Sequence, residues 1–587
     1  MAFEKRENIA ALVLAAGCSS RMGGFKPLLP LGRSTVVEEA VERFRRAGIE
    51  DVRVIAGHRA DEIGPVIDRL EAGKIVNTDY DRGMYSSILA GVKSLGPEIE
   101  AFFVLPVDTP LVKPATIAAL AATCSNNVAR IVYPRFEGLR GHPPIISTQL
   151  AANLPDHCEG GLAAFLGRHE DQAVDLDVID QSILMNCNTW LDYLKLKARR
   201  AREDIPTGRE CIALLRERNV AENVVAHCRK VAEVALMLTV HLQSAGLPLD
   251  FELVKAGGLL HDMAKGQHSD HAAAAAEFLE KIGYSRVARI VALHTDIEPK
   301  RLQPLDESDV VHLADKLVKG DMPVSLEDRF DGALKKFADR PEVFNRVERR
   351  LRDARAIKKQ VESTLGAPLE SLVQKYAKSL RAASSERRNI YLARHGAIQH
   401  PGDIKRYIGQ TDLPLTAEGV RQAETLAEKL RHTQISAIFC SDLRRSIDTA
   451  RIVGNLHGIE IAPIPRFREI ALGEWEGMSF DAVRSKYPAA YDLRGRNIVH
   501  FRTPGGESFM DCALRVTPAF YDAIYSTRGD ILVVGHAGVN RVLLCRILGK
   551  PVSELFDIKQ DYCCLNRILC CGFSFELESL NVSFRAV

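Results

Sequence analysis

Between residues 227 and 315 the chain sets out His227, the adjacent pair His261-Asp262, then His271, His294 and Asp315, each among apolar residues with helical spacing. A single histidine in such a place is ordinarily a satisfied core side chain. Imidazoles and carboxylates in this number are costly to bury unless they pair or bind a metal, and the mixture suits Fe, Mn or Zn better than Mg²⁺ alone. A second constellation follows. Arg394-His395-Gly396 ends one apolar strand-like run, SDLRRSIDTA at 441–450 follows another, and Gly535-His536-Ala537-Gly538 ends a third. Two histidines and two arginines at strand ends supply a nucleophile and a cationic phosphate pocket with no metal required. A third set opens the chain, where the apolar run 9–14 leads into Ala15-Ala16-Gly17, a loop carrying Arg21 and Lys26, and a helix-patterned stretch over 36–46. Backbone N–H groups of a glycine-rich loop and two fixed cations suit a polyphosphate. The loop matches neither GxGxxG nor GxxxxGK[ST], which sets aside the dinucleotide and P-loop signatures. Asp108, just beyond the apolar run 102–105, is a candidate Mg²⁺ ligand.

The elements around these residues outline the domain plan. Strand-like runs at 52–56, 102–105 and 131–133 alternate with helical patterns through the first 190 residues. This argues for a doubly wound α/β domain with its site at the carboxyl ends of the strands. The basic stretch 195–209, with Pro206, marks a boundary. From 211 to 385 the periodicity is helical, so an all-α domain is expected. Its tail, 341–383, has opposite charges at i,i+4 spacing, the pattern of solvated helices. Residues 384–388 read as a linker, after which runs at 390–393, 437–440 and 531–534 belong to a second, different α/β domain. The expected domains are 1–195, 210–385 and 388–587.

A length of 587 residues exceeds what a single core supports. With 26% charged and 46% hydrophobic residues the chain has the balance of a soluble globular protein, and a formal charge of +2 makes no case for nucleic acid or an acidic membrane as partner. No apolar stretch reaches the ~18–20 residues of a membrane span, and no signal-peptide core precedes the first strand. The thirteen cysteines follow no disulfide-framework spacing, so a reducing cytoplasm is expected and the pairs Cys563-Cys564 and Cys570-Cys571 read as buried thiols.

LAAG followed by SxRMGxxK, Asn77 ahead of GMYSS at 83–87, PVDTP at 106–110 and RGHPP at 140–144 together resemble the MobA-like nucleotidyltransferases, especially the molybdenum cofactor cytidylyltransferases. The resemblance implies Mg²⁺-dependent transfer of a nucleotidyl group, with CTP favoured, to a molybdopterin-type acceptor with release of pyrophosphate. It implies nucleotide contacts at Ala15, Ala16, Gly17, Arg21, Lys26, Asn77, Ser86 and Asp108, with Asp108 also holding the metal, and molybdoenzymes as partners. Asn186-Cys187-Asn188-Thr189-Trp190 stands where the family has DxDTP or NxNTP. That departure resembles the guanylyltransferase branch and keeps GTP as an alternative. Transfer to a sugar phosphate is another.

The order H…HD…H…H…D resembles the HD phosphohydrolase superfamily, and within it the dinuclear hydrolases of diadenosine tetraphosphate. By that resemblance His227, His261, Asp262 and Asp315 hold one metal, His271 and His294 complete a second, Asp262 bridges, and Lys265 faces substrate phosphate. The set RHG, SxLxRxxxTA and GHxG resembles the histidine phosphatase superfamily from 390 to about 551, closer to the phosphatases than the mutases through GEWEG at 473–477. It implies His395 as the phosphorylated nucleophile, Arg394, Arg445 and His536 as phosphoryl ligands, and Glu469 as general acid, with no cofactor. Glu474 and Glu476 are expected to be structural, and Glu507 of PGGES to lie on the substrate side. The whole implies a trifunctional enzyme of small phosphorylated substrates. The alternative from another class is that one or more domains serve as non-catalytic nucleotide-sensing modules.

Overall fold

In the computed structural model, which describes residues 3–18, 24–125, 129–267, 270–297, 304–381, 387–399 and 404–584, the apolar run Ile9–Leu14 (β1) is buried along its whole length. The next helix, Val36–Arg46 (α1), starts at a capping box between Thr35 and Glu38. There follow Asp51–Ala56 (β2), Gly73–Val76 (β3), Met84–Lys93 (α2), Ala101–Pro106 (β4), Ile131–Phe136 (β5), Ile145–Ser147 (β6), Ala173–Asp177 (β7) and Trp190–Arg200 (α3). The sheet order is β7-β5-β6-β4-β1-β2-β3. β1 runs parallel to both neighbours, with Leu14 opposite Ile55 on one side and Pro106 on the other. The direction of winding reverses between β1 and β4, so a crevice opens beyond Leu14 and Pro106. β6 departs from the doubly wound expectation by pairing antiparallel with β4 and β5. Its link from β5 is too short for a parallel crossover, which takes about a dozen residues or more.

Two compact units divide the chain, Met1–Glu203 with Ile212–Leu214, and Asp204–Cys211 with Leu215–Val587. The second begins with helices. Glu222–Ser244 (α4) packs against Phe251–Leu260 (α5), where a Cβ on Gly258 would stand 2.8 Å from the Ala232 Cα. That close approach brings the end of α5 beside the start of α4. His271–Lys281 (α6), Ser285–Leu293 (α7) and Glu307–Lys316 (α8) complete the group. A two-stranded ribbon, Val318–Lys319 with Met322–Pro323, interrupts the expected all-α pattern directly after α8. Pro341–Leu365 (α9) buries Leu351, Ala354, Ile357 and Val361. This stripe at three- and four-residue spacing anchors a helix whose charge pattern had suggested solvent all round. Leu369–Arg381 (α10) follows.

The C-terminal α/β part comprises Arg387–Arg394 (β8), Ile435–Cys440 (β9), Arg444–His457 (α11), Ile461–Pro463 (β10), Phe509–Tyr525 (α12), Asp530–Gly535 (β11), Ala537–Leu548 (α13), Leu565–Cys571 (β12) and Ser574–Val582 (β13). Its sheet order is β10-β9-β11-β8-β12-β13. Arg387 and Arg388, expected in a linker, pair with Cys571 and Cys570 as the first residues of β8; the rest of that linker, 384–386, lies outside the described residues. The registers Arg394–Gly535 and Cys440–Val534 bring the carboxyl ends of β8, β9 and β11 to one edge.

Within this unit the helices and the α/β part share a buried face. Tyr376 of α10 donates its hydroxyl to Asp522 on α12 (2.7 Å) and its ring packs on Tyr525 and Phe573. Arg546 of α13 donates to Gln243 of α4 (2.6 Å). No helix among the described residues is long and apolar enough to cross a membrane.

Candidate functional sites

At the carboxyl ends of β1 and β4, Lys26 Nζ donates to Asn188 Oδ1 (3.0 Å) and stands 3.8 Å from Asp108 Oδ2. The Cys187 N–H donates to the Asp108 carbonyl (2.9 Å). A capping box between Thr189 and Asp192 at the start of α3 fixes the same segment. Ala15 and Ala16 are buried, and a side chain at Gly17 would meet nothing among the described residues within 4 Å. Asn77 and Ser86 come together as a bracket. Asn77 Nδ2 donates to the hydroxyls of Ser86 (2.9 Å) and Ser87 (3.0 Å), and its Oδ1 accepts from the Asp79 N–H (3.0 Å). Arg21 lies outside the described residues. Among the described residues no cluster of three ligating groups includes Asp108.

The helical region gathers all six residues expected there. His227 donates Nδ1–H to the Gly320 carbonyl (2.8 Å), His261 to Gly258 (2.8 Å) and His294 to Val291 (2.6 Å). A carbonyl only accepts, so each Nε2 turns inward as a lone pair in the neutral ring. Asp262 stands between two pairs of histidines. Its Oδ2 is 3.7 Å from His227 Nε2 and 3.5 Å from His261 Nε2, and its Oδ1 is 3.1 Å from His271 Nε2 and 3.5 Å from His294 Nε2. Asp315 Oδ1 approaches His227 Nε2 (3.1 Å) and His261 Nε2 (3.7 Å).

Two observations test this set for metal. His261 Nε2 is fully buried with no hydrogen-bond partner among the described residues, and the Nε2 atoms of His271 and His294 face each other at 3.2 Å. Inward lone pairs crowded against carboxylate oxygens suit a cation, and two groups, His227-His261-Asp262 and Asp262-His271-His294, each have three ligand atoms close enough to hold one. Lys265 Nζ donates to Asp262, and Lys316 ties Asp315 (2.6 Å) to the His294 carbonyl (3.1 Å). Arg350 of α9 clamps Asp296, two residues past His294, at 2.8 and 2.6 Å.

At the β8, β9 and β11 edge, His395 is nearly inaccessible and donates Nδ1–H to its neighbour's carbonyl, that of Gly396 (2.7 Å), which leaves Nε2 with the lone pair of the neutral ring. The His536 ring lies 5.1 Å away, centroid to centroid. Both His536 nitrogens, Arg394 Nε and Arg445 Nε are buried without a hydrogen-bond partner among the described residues, so two guanidinium donors and one imidazole N–H remain for an anion to satisfy. Arg394 is held by the Gln560 carbonyl (2.8 Å) and stacks 3.8 Å over the Tyr562 ring, and Arg445 is held by the carbonyls of Thr411 (2.7 Å) and Gly409 (2.6 Å). Glu476 accepts from the N–H groups of Gly409 (2.8 Å) and Thr411 (2.9 Å), and so supports the loop that grips Arg445.

Glu469 accepts from the N–H groups of Ile470 (2.9 Å), Gly538 (2.9 Å) and Val539 (3.2 Å) at the start of α13. A Cβ on Gly538 would lie 2.5 Å from Glu469 Oε1, so a side chain there would displace the Glu469 carboxylate. Glu507, expected on the substrate side, is instead engaged by Arg515 and the Ala471 N–H. Arg515, Tyr562 and the carbonyls of Gly409 and Thr411 had no signal in the sequence, because their partners lie far along the chain.

Burial, with Arg394 and Arg445 adding to it, holds His395 well below the usual histidine range, and burial and Arg445 do the same for His536. Both are neutral in the folded chain near pH 7. The unfolded chain protonates them below about 6.5, so it binds more protons than the folded one as pH falls through that value toward the depressed folded-state range. Acidification from pH 7 is therefore expected to lower the stability of this unit, by at most ~1.4 kcal/mol per pH unit for each histidine, and its Tm with it. A Tm flat between pH 7 and 5 in calorimetry would contradict this.

Convergent cationic donors around paired imidazoles at strand ends define a phosphoryl-transfer enzyme, here joined to a second site built of metal-ligand groups. Residues 390–583 match the histidine phosphatase superfamily (branch 1), 224–320 the HD domain and 11–173 the MobA-like NTP transferase domain. The chain is 33% identical over 180 residues to a protein named "probable phosphoglycerate mutase GpmB" in Enterobacter sp. (strain 638), covering 30% of this chain and 83% of that one. It is 33% identical over 175 residues to glucosyl-3-phosphoglycerate phosphatase of Mycolicibacterium vanbaalenii, covering 28% and 77%. The solved α-ribazole phosphatase from Shigella flexneri is 28% identical, with 34% of this chain and 98% of that chain covered and a TM-score of 0.32. The chain belongs to the histidine phosphatase superfamily and carries MobA-like NTP transferase and HD domains as well.

Proposed function

We propose that the C-terminal domain hydrolyses small phosphate monoesters through a phosphohistidine at His395, and that the chain couples this to an HD-type phosphohydrolase and a nucleotidyltransferase. The observation that carries the phosphatase reading is the free Nε2 of His395 among the unpartnered donors of His536, Arg394 and Arg445. Nε2 attacks phosphorus, the phosphorus–oxygen bond to the leaving group breaks, and Glu469 gives that oxygen a proton. In the second half water attacks the phosphohistidine, passing its proton to Glu469, while the P–N bond breaks and His395 is restored neutral. The leaving group is read as a sugar-type or ribazole-type alcohol, of the kind named for the relatives.

In the HD domain His227, His261, Asp262 and Asp315 would hold one metal, and His271 and His294 with Asp262 a second; Fe, Mn or Zn suits these ligands. Bound there, the ions would supply Lewis acidity toward a phosphate ester or anhydride. Asp262 and Asp315 orient the imidazoles, and Lys265, more exposed than its partner Asp262, is placed to meet substrate phosphate.

For the N-terminal domain the reading is transfer of a cytidylyl group from CTP to a molybdopterin-type phosphate, with Mg²⁺ at Asp108 and Lys26 on the triphosphate. It is supported by the LAAG, GMYSS, PVDTP and RGHPP segments and by the meeting of Lys26, Asp108 and Asn188. The asparagines at 186 and 188 favour GTP as the second reading. Asp108→Ala in the full chain is expected to cut pyrophosphate release from CTP with molybdopterin acceptor by at least ~10²-fold. Unchanged release would remove the metal role, and release from GTP alone would decide for the second reading.

A further inference from the structure

One guanidinium organises the loop that carries Glu469. Arg515, on α12, donates from Nη1 to the carbonyls of Arg466 (2.7 Å) and Arg468 (3.0 Å), and from Nη2 to that of Glu469 (3.4 Å). The same guanidinium holds Glu507 in a two-point clamp, Nε to Oε1 (2.7 Å) and Nη2 to Oε2 (2.8 Å). Glu507 in turn accepts from the Ala471 N–H (3.0 Å) and donates its own N–H to the Ala471 carbonyl (2.8 Å). Gln410 Nε2 adds a bond to the Glu469 carbonyl (3.0 Å). Carbonyl oxygens from three of four consecutive residues thus point at one cation. That charge offsets the mutual repulsion of their dipoles and draws the three carbonyls together. The capping box Ser508–Asp511, at the start of α12, fixes the helix position immediately after Glu507.

We propose that the Arg515–Glu507 pair is the positioning device for the proton donor Glu469, setting its carboxyl against the leaving-group oxygen. Neither residue touches the reacting atoms; both act through the backbone of 466–471. The inference rests on the reading of His395 as nucleophile and Glu469 as acid. Its signature is dependence on the leaving group, because an acid helps a poor leaving group and is dispensable for one that departs readily as an anion.

The test uses the full chain as wild type, Arg515→Ala, Arg515→Lys and Glu507→Gln, assayed with p-nitrophenyl phosphate and with glycerol phosphate. The expected result is a ~10²-fold loss of kcat on glycerol phosphate for Arg515→Ala and Glu507→Gln, a change below ~3-fold on p-nitrophenyl phosphate, and partial rescue by Arg515→Lys. Phosphohistidine formed from p-nitrophenyl phosphate should persist in every variant. Equal losses on both substrates, for variants with wild-type melting behaviour, would overturn the positioning role. If Arg515→Ala fails to fold, Arg515→Lys and Glu507→Gln carry the same comparison. A wild-type chain that hydrolyses neither substrate and forms no phosphohistidine would overturn the phosphatase reading itself, and the inference with it.

Discussion

His395→Ala should reduce phosphomonoester hydrolysis by ~10⁴-fold or more and abolish the acid-labile phosphoenzyme, while leaving the chain folded. The size of the effect follows from the site. His395 Nε2 carries a lone pair that no backbone group engages, since Nδ1 is fixed on the Gly396 carbonyl. The guanidiniums of Arg394 and Arg445 have no lone pair to replace it, and His536 is read as a phosphoryl ligand. Folding should be spared, since the ring is buried without a long-range hydrogen bond of its own. Rapid-quench trapping with labelled substrate reads both effects at once. A labile phosphoenzyme surviving in the variant would move the nucleophile elsewhere.

Asp262→Ala should have the second large effect, loss of both metal equivalents from the HD centre rather than one. Its two oxygens face different histidine pairs, Oδ2 toward His227 and His261, Oδ1 toward His271 and His294. Removing it takes a ligand from each half and leaves four imidazoles with reduced charge compensation. Affinity at both positions should fall by ~10²-fold or more. His271→Ala, by contrast, should lose a single equivalent. Elemental analysis and equilibrium dialysis of the full chain distinguish the cases. One full equivalent retained by Asp262→Ala would show that the carboxylate serves only one ion.

What could be read from the chain alone was what repeats at fixed local spacing. RHG, the HD pair and GHxG are each set by one strand or helix end, so their residues meet once those elements pack. Asn77 and Ser86 show the limit. Both sit in a segment that resembles a nucleotide-binding one, yet their polar atoms hold each other and the turn at Asp79. The carbonyls of Gly409 and Thr411 that hold Arg445, and the Arg515 clamp, depend on pairings across long sequence separation that no periodicity announces. β6 was likewise invisible in advance, being too short for its alternation to register before its partners are known.

α12 carries Arg515 in its first half and Tyr521, Asp522 and Tyr525 toward its end, where Tyr376 seals it. The same helix therefore serves two masters, a catalytic loop and a seam between neighbours. A gene that shed its helical segment would leave the phosphatase with bare aromatic rings and an unanswered Asp522, prone to clump. Inheritance of these two parts should therefore be joint, and an expression clone that severs them should give insoluble protein.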